Sequence, residues 1–154
     1  MKATNQLLVF TLDGYRYALY LSAVERVFRA VEITPMPKAP EVVLGIVNVH
    51  GRIVPVVNLR RRFRLLEREI DPSNQLILAR TSIRPVALLA DSVDGVIECL
   101  EQDVISAQRL LPGFKYVEGV VKLEDGMVLI HDLDTFLSLD EAKGLGKALN
   151  ESGK

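Results

Sequence analysis

The sequence predicts an all-β protein built from two similar small barrels packed as a pair. First, the chain repeats itself. Gln6–Phe28 lies without a gap over Gln75–Ile97, with identities at Gln6/Gln75, Leu7/Leu76, Ala18/Ala87, Leu19/Leu88, Val24/Val93 and Val27/Val96. A second block, Gly45–Leu59, lies over Gly119–Leu133 at a slightly longer spacing, which places one insertion between Ile97 and Gly119. Second, both copies are runs of aliphatic, aromatic and β-branched residues cut by turn residues, the composition of strands rather than helices. Third, each copy supplies about five short strands, and so many strands in so little chain curl into a barrel rather than leave two open edges.

The elements follow in order. Leu7–Leu12 and Tyr15–Leu21 flank Asp13-Gly14, a strong hairpin signal. Val24–Ala30 reads as a third strand after a bend at Ser22-Ala23. Pro35, Pro37 and Pro40 then break regular structure, because proline lacks a ladder donor. Val42–Leu44 reads as a short helical turn. Gly45–Val49 and Arg52–Leu59 form a hairpin with Gly51 at its tip, Arg60–Leu66 gives one or two helical turns, and Asp71-Pro72-Ser73-Asn74 joins the copies. The second copy repeats the order with Leu76–Arg80, Val86–Ala90 and Val96–Leu100, then a loop or short helix over Glu101–Gln108. Val117–Leu123 and Met127–His131 close it, turning at Glu124-Asp125-Gly126. Asp134–Lys143 carries helix formers with Asp134 as the cap, and Gly144–Lys154 is expected to fray. The sub-barrels are expected over roughly 6–70 and 71–133, with strands exchanged near Pro35–Pro40 and Ser106–Phe114.

The strand Arg52–Leu59 is apolar on both faces, with Ile53, Pro55, Val57 and Leu59 on one and Val54 and Val56 on the other. A half-buried strand alternates apolar with polar, so this one needs two packing partners: its own barrel, and either the sister copy or another protein. Pro55 places the strand at an edge or bulge.

Composition excludes several function classes. With 154 residues and a formal charge of −1, no global field favours nucleic acid or an anionic membrane. Units of about 70 residues bury too little surface to be stable alone, so their mutual packing is part of the stability. No stretch has the length of a spanning helix, and the N-terminus lacks a secretory pattern, so a soluble cytoplasmic protein is expected. Cys99 is the single cysteine and has no ligand-spaced neighbours. His50 and His131 sit in no metal or catalytic pattern and are not equivalent under the repeat; His50 reads as an exposed contact residue and His131 as a strand residue. No phosphate loop, nucleophile elbow or repeated acid–base pair is present, so no catalytic residue, metal or cofactor is assigned. Arg60-Arg61-Arg62 reads as a solvated helical turn paired with Glu67 and Glu69 and anchored by Phe63.

One stretch identifies a family. Gly45-Ile46-Val47-Asn48-Val49-His50-Gly51-Arg52-Ile53-Val54-Pro55-Val56-Val57-Asn58-Leu59-Arg60, with Leu8–Leu12 and Tyr116–Val121, resembles CheW, the adaptor of chemotaxis arrays, whose pattern here is G-x-x-N-L-R-G-x-x-x-P-V-x-D-L-R. The resemblance covers roughly Gln6 to Glu141. It implies two pseudo-symmetric five-stranded SH3-like barrels with a C-terminal helix. It also implies a non-catalytic adaptor bridging the cytoplasmic tips of chemoreceptor helices to the regulatory domain of a CheA-type histidine kinase. One barrel offers apolar edge strands to the kinase, and a receptor tip lies in the groove between barrels. The chain then sits in the cytoplasm, held at membrane-attached arrays through its partners, without inserting into the membrane or binding nucleic acid. Candidate partner contacts are Val24, Arg26, Val27, Phe28, Gly45, Asn48, His50, Gly51, Val54 and Val56. The chain departs from the pattern at His50, where the family has arginine, at Asn58, where it has aspartate, and at Arg26, where a glutamate is often found with an acid here one place earlier at Glu25. Charge changes at such positions alter partner choice. The alternative reading is a stand-alone regulatory module holding a small ligand in the inter-barrel groove.

Overall fold

The computed structural model describes residues 4–29, 32–106, 117–123, 126–136 and 139–152. Among the described residues eleven strands, β1 (Thr4–Leu12), β2 (Tyr15–Tyr20), β3 (Val24–Arg29), β4 (Val43–Val49), β5 (Arg52–Val57), β6 (Gln75–Arg80), β7 (Pro85–Ala90), β8 (Ser92–Leu100), β9 (Val104–Ser106), β10 (Val117–Leu123) and β11 (Gly126–His131), carry the fold. Among the described residues two helices accompany them, α1 (Leu59–Arg62) and α2 (Leu139–Ser152). The strands form a sheet ordered β8-β1-β2-β11-β10-β9 and a second ordered β3-β6-β7-β5-β4. The all-β class and the pseudo-symmetric pair of barrels agree with the sequence.

The two copies exchange their first hairpins. β1–β2 joins the strands of the second copy, and β6–β7 joins those of the first. Corresponding pairings recur: β2 runs parallel to β11 as β7 does to β5, and β1 pairs β8 as β6 pairs β3. The barrels therefore do not divide at residue 70. The chain stays in one sheet through that joint and changes sheet at the 3-10 turn Leu21–Ala23 and at Asp91, not at Pro35–Pro40. The other expected crossover, Ser106–Phe114, lies mostly outside the described residues.

Strand alternation explains why exchange is stable. In β1, Leu7 and Val9 point into one barrel while Leu8, Phe10 and Leu12 point into the seam between barrels. In β6, Leu76 and Leu78 fill the other barrel while Ile77 and Ala79 face the same seam. The greasy strand β5 follows suit: Val54 and Val56 go inside, Val57 goes to the seam. Its second packing partner is the sister copy. Pro55 does not lie on an edge strand, since β5 runs between β7 and β4. Ile46 opposite it gives both backbone groups to Thr34, so no donor is required of Pro55 there.

Four local expectations are corrected. Val43 and Leu44 begin a strand rather than a helical turn, because Val43 pairs with Val57 across the hairpin. Within Glu101–Gln108, a 3-10 turn at Glu101–Asp103 leads into β9. The C-terminal segment does not fray at Gly144: α2 runs to Ser152, with Leu145 and Ala148 buried in the seam and Leu149 packed against it, an apolar stripe at helical spacing. Asp134 is not its cap; it lies in the 3-10 turn Leu133–Thr135 and accepts the Ser82 amide at 2.6 Å.

Candidate functional site

The sequence candidates converge on the five-stranded barrel, around β3 and the β4–β5 hairpin. His50 (φ 50°) and Gly51 (φ 86°) form the two-residue turn, both in the left-handed region that matches the twist of a hairpin. The Asn48 side-chain oxygen accepts the Gly51 amide at 2.8 Å and so fixes the turn. Asn48, His50 and Gly51 are exposed. Gly45 is buried where the chain crosses itself: a Cβ there would stand 2.2 Å from the Thr34 carbonyl oxygen. On β3, Arg26 is exposed, while Val24, Val27 and Phe28 are half-buried against the core.

Val54 and Val56 are fully buried in the barrel interior. Their side chains are core, and the expectation that they meet a partner is corrected. Alternation decided it, because the neighbouring face had the seam to cover.

Glu25 is marked by the sequence only as the acid beside Arg26. It occupies a bulge in the β3–β6 pairing, and two guanidinium groups converge on it: Arg80 at 2.6 Å and Arg52 at 2.9 Å. The hydrogen bonds from Arg80 and then Arg52 hold its carboxyl below the ordinary value. Position 25 thus ties β3 to the start of β5 and the end of β6, beside Arg26.

A second ionic group lies under the barrels. Arg60 is not solvated. It is buried, meets Asp91 at 2.6 Å and Asp13 at 3.3 Å, and donates to the Leu66 carbonyl at 2.9 Å. Asp91 also accepts the Asp13 amide. Burial pushes the Asp91 carboxyl up, but the bonds from Arg60 and the Asp13 amide outweigh it and hold it below the usual aspartate value. Asn58 caps α1 through the Arg61 amide and donates to Glu67, which Arg61 also holds. The expected Arg61–Glu67 pairing and the Phe63 anchor are present: Phe63 stacks on His131 and packs against Tyr17 and Phe136. His131 is buried there, while His50 stands in solvent.

The seam is filled by side chains of both barrels and of α2. A cleft of about 400 Å³ beside it is lined by Asn58, Arg60, Glu67, Arg68, Asp91 and neighbours. Most of these groups already bond one another. No helix among the described residues is long and apolar enough to cross a membrane.

Residues 6–141 match the family model described as CheW-like domain. The chain is 30% identical to chemotaxis protein CheW of Thermotoga maritima over 132 residues, covering 86% of this chain and 87% of that protein. It is 26% identical to chemotaxis protein CheW of Rhizobium meliloti over 139 residues, covering 89% and 90%. Among solved structures, the scaffolding protein TtCheW of Thermoanaerobacter tengcongensis superposes with a TM-score of 0.82 at 28% identity, covering 92% of this chain and 96% of that one. The hairpin motif, the paired barrels and the family match agree over the same residues, and the chain belongs to the CheW-like domain family.

Proposed function

We propose that the chain is a non-catalytic adaptor of a chemotaxis or related chemosensory pathway, joining the cytoplasmic tips of chemoreceptors to the regulatory domain of a CheA-type histidine kinase. Family membership over almost the whole chain carries this reading. The protein works in the cytoplasm and reaches the membrane through its partners. Three of its carboxylates, Glu25, Glu67 and Asp91, are each held low by arginine, an arrangement that fixes elements in place. Contact residues on this reading are Arg26, Asn48, His50 and Gly51 at the exposed barrel end, with the edges of Val24, Val27 and Phe28. A small-ligand role has less support, since side chains fill the seam that would hold the ligand.

The experiment is a titration of the purified chain with a receptor-tip fragment and with the kinase regulatory domain of the same organism. Binding to both, and a complex containing all three, is expected. Binding to neither overturns the reading.

A further inference from the structure

The end of the five-stranded barrel carries an excess of positive charge that the fold itself does not need. Arg52 opens β5 and Arg80 closes β6, and they lie two positions along from Val54 and Leu78, which point into the barrel. Arg26 pairs across from Leu78. By strand alternation the three arginines continue the interior columns out to the mouth. Arg52 and Arg80 both meet Glu25, and their side chains remain 46% and 68% exposed. One carboxylate therefore serves two guanidinium groups, and Arg26 beside it forms no ion pair among the described residues.

The sister barrel shows that this charge is a property of the sequence and not of the architecture. The β1–β8 pairing has its bulge at Asp94, the repeat equivalent of Glu25. Asp94 accepts the hydroxyl of Thr11 at 2.6 Å, where Glu25 accepts Arg80, and Thr11 and Arg80 are repeat equivalents. The equivalents of Arg26 and Arg52 are Gly95 and Gly126. An acid at the same bulge thus accepts hydroxyls, from Thr11 and Ser92, in one barrel and two arginines in the other.

We infer that this mouth, Arg26 with Arg52 and Arg80, is a docking surface for an acidic protein segment, one presenting at least two carboxylates to the barrel end. The inference rests on the adaptor reading and specifies the chemistry of the partner at that site. Guanidinium groups held by Glu25 keep donors free in fixed directions, which suits carboxylate recognition. A nucleic acid is a poorer fit: the chain's net charge is −1, and among the described residues the one large aromatic side chain that is exposed, Tyr15, belongs to the other barrel.

The test measures binding of the full chain to the receptor-tip fragment and to the kinase regulatory domain at about 50 and about 300 mM salt, where screening separates charge-driven from apolar contact. The affinity of wild type for one of the two is expected to fall about tenfold with salt, and Arg26→Glu to lower it at least about tenfold at low salt with thermal unfolding unchanged. Arg26→Lys should stay within about twofold, and a carboxylate-to-lysine change in that partner should restore Arg26→Glu binding. If wild type binds both partners and Arg26→Glu and Arg80→Gln bind them equally well at both salts, the mouth is not a docking surface, while the adaptor reading stands. If wild type binds neither, the adaptor reading falls and takes this one with it. Two other outcomes overturn the inference in favour of a different occupant: arginine-dependent binding of a duplex DNA probe, or sedimentation as a self-associated species that Arg26→Glu dissolves.

Discussion

Arg60 meets Asp91 at 2.6 Å, although they belong to different copies of the repeat. Asp91 is the residue at which the chain passes from one sheet to the other, and Asp13 beside it is the first turn residue of the hairpin β1–β2. One buried arginine therefore pins a crossover, a turn and the loop through Leu66 together. Removing one partner leaves the other charge buried and uncompensated. Asp91→Ala is expected to destabilise the fold by about 3 kcal/mol, and Arg61→Ala, at an exposed pair, by far less. Urea unfolding followed by circular dichroism gives both numbers; equal small losses would refute the pinning role.

The same contact sets an acid limit. Asp91 is held below its ordinary value in the folded protein, so its contribution is present above the unfolded value of about 4 and is lost as pH falls through the folded one. Thermal stability is expected to decline as pH is lowered from about 5 to about 3. Asp91→Asn should start lower and show a shallower decline. Melting curves across that range decide it, and an unchanged slope in the variant counts against the assignment.

Arg26 and His50 are both exposed, and surface positions of this kind shift stability by under about 0.5 kcal/mol. Arg26→Glu combined with His50→Arg should leave the melting temperature nearly unchanged while altering affinity for receptor or kinase. Paired unfolding and binding measurements check this. A melting point several degrees lower with both affinities intact would make the two residues structural.

Leu145 is fully buried in the seam, one of the residues by which α2 joins both barrels. Leu145→Ala removes that packing and opens a cavity, at a cost of about 2–4 kcal/mol. Lys147→Ala, on the exposed face, is the control. Equal stability of the two variants would show that α2 is dispensable.

Gly45 sits where the backbone of Thr34 crosses β4, with room for no Cβ. Gly45→Ala is expected to destabilise by more than about 2 kcal/mol, because the clash is with a backbone carbonyl that cannot turn aside. Gly51→Ala, which meets no atom within contact range but keeps a positive φ, should cost about 1 kcal/mol. Chemical denaturation of both variants ranks them.

What the sequence by itself determined was local or periodic. The repeat announced two equivalent units, Asp13-Gly14 and His50-Gly51 marked the hairpin turns, and the two-sided apolar character of β5 required a second packing surface. The hairpin string also carried the family. Tertiary structure decided which copy each hairpin joins, because Leu8 and Ile77 would face an apolar seam in either arrangement and pattern alone cannot choose. It decided that Val54 and Val56 are core, since a strand apolar on both faces does not say which face has a neighbour. It turned Arg60 from a solvated residue into a buried one, because Asp13 and Asp91, far along the chain, come together beneath it. The acid at position 25 carried no sign in sequence of its tie to the arginines at 52 and 80; a bulge in β3 and the ends of two other strands brought them to one mouth. Long-range pairing, which periodicity does not encode, made each of those choices.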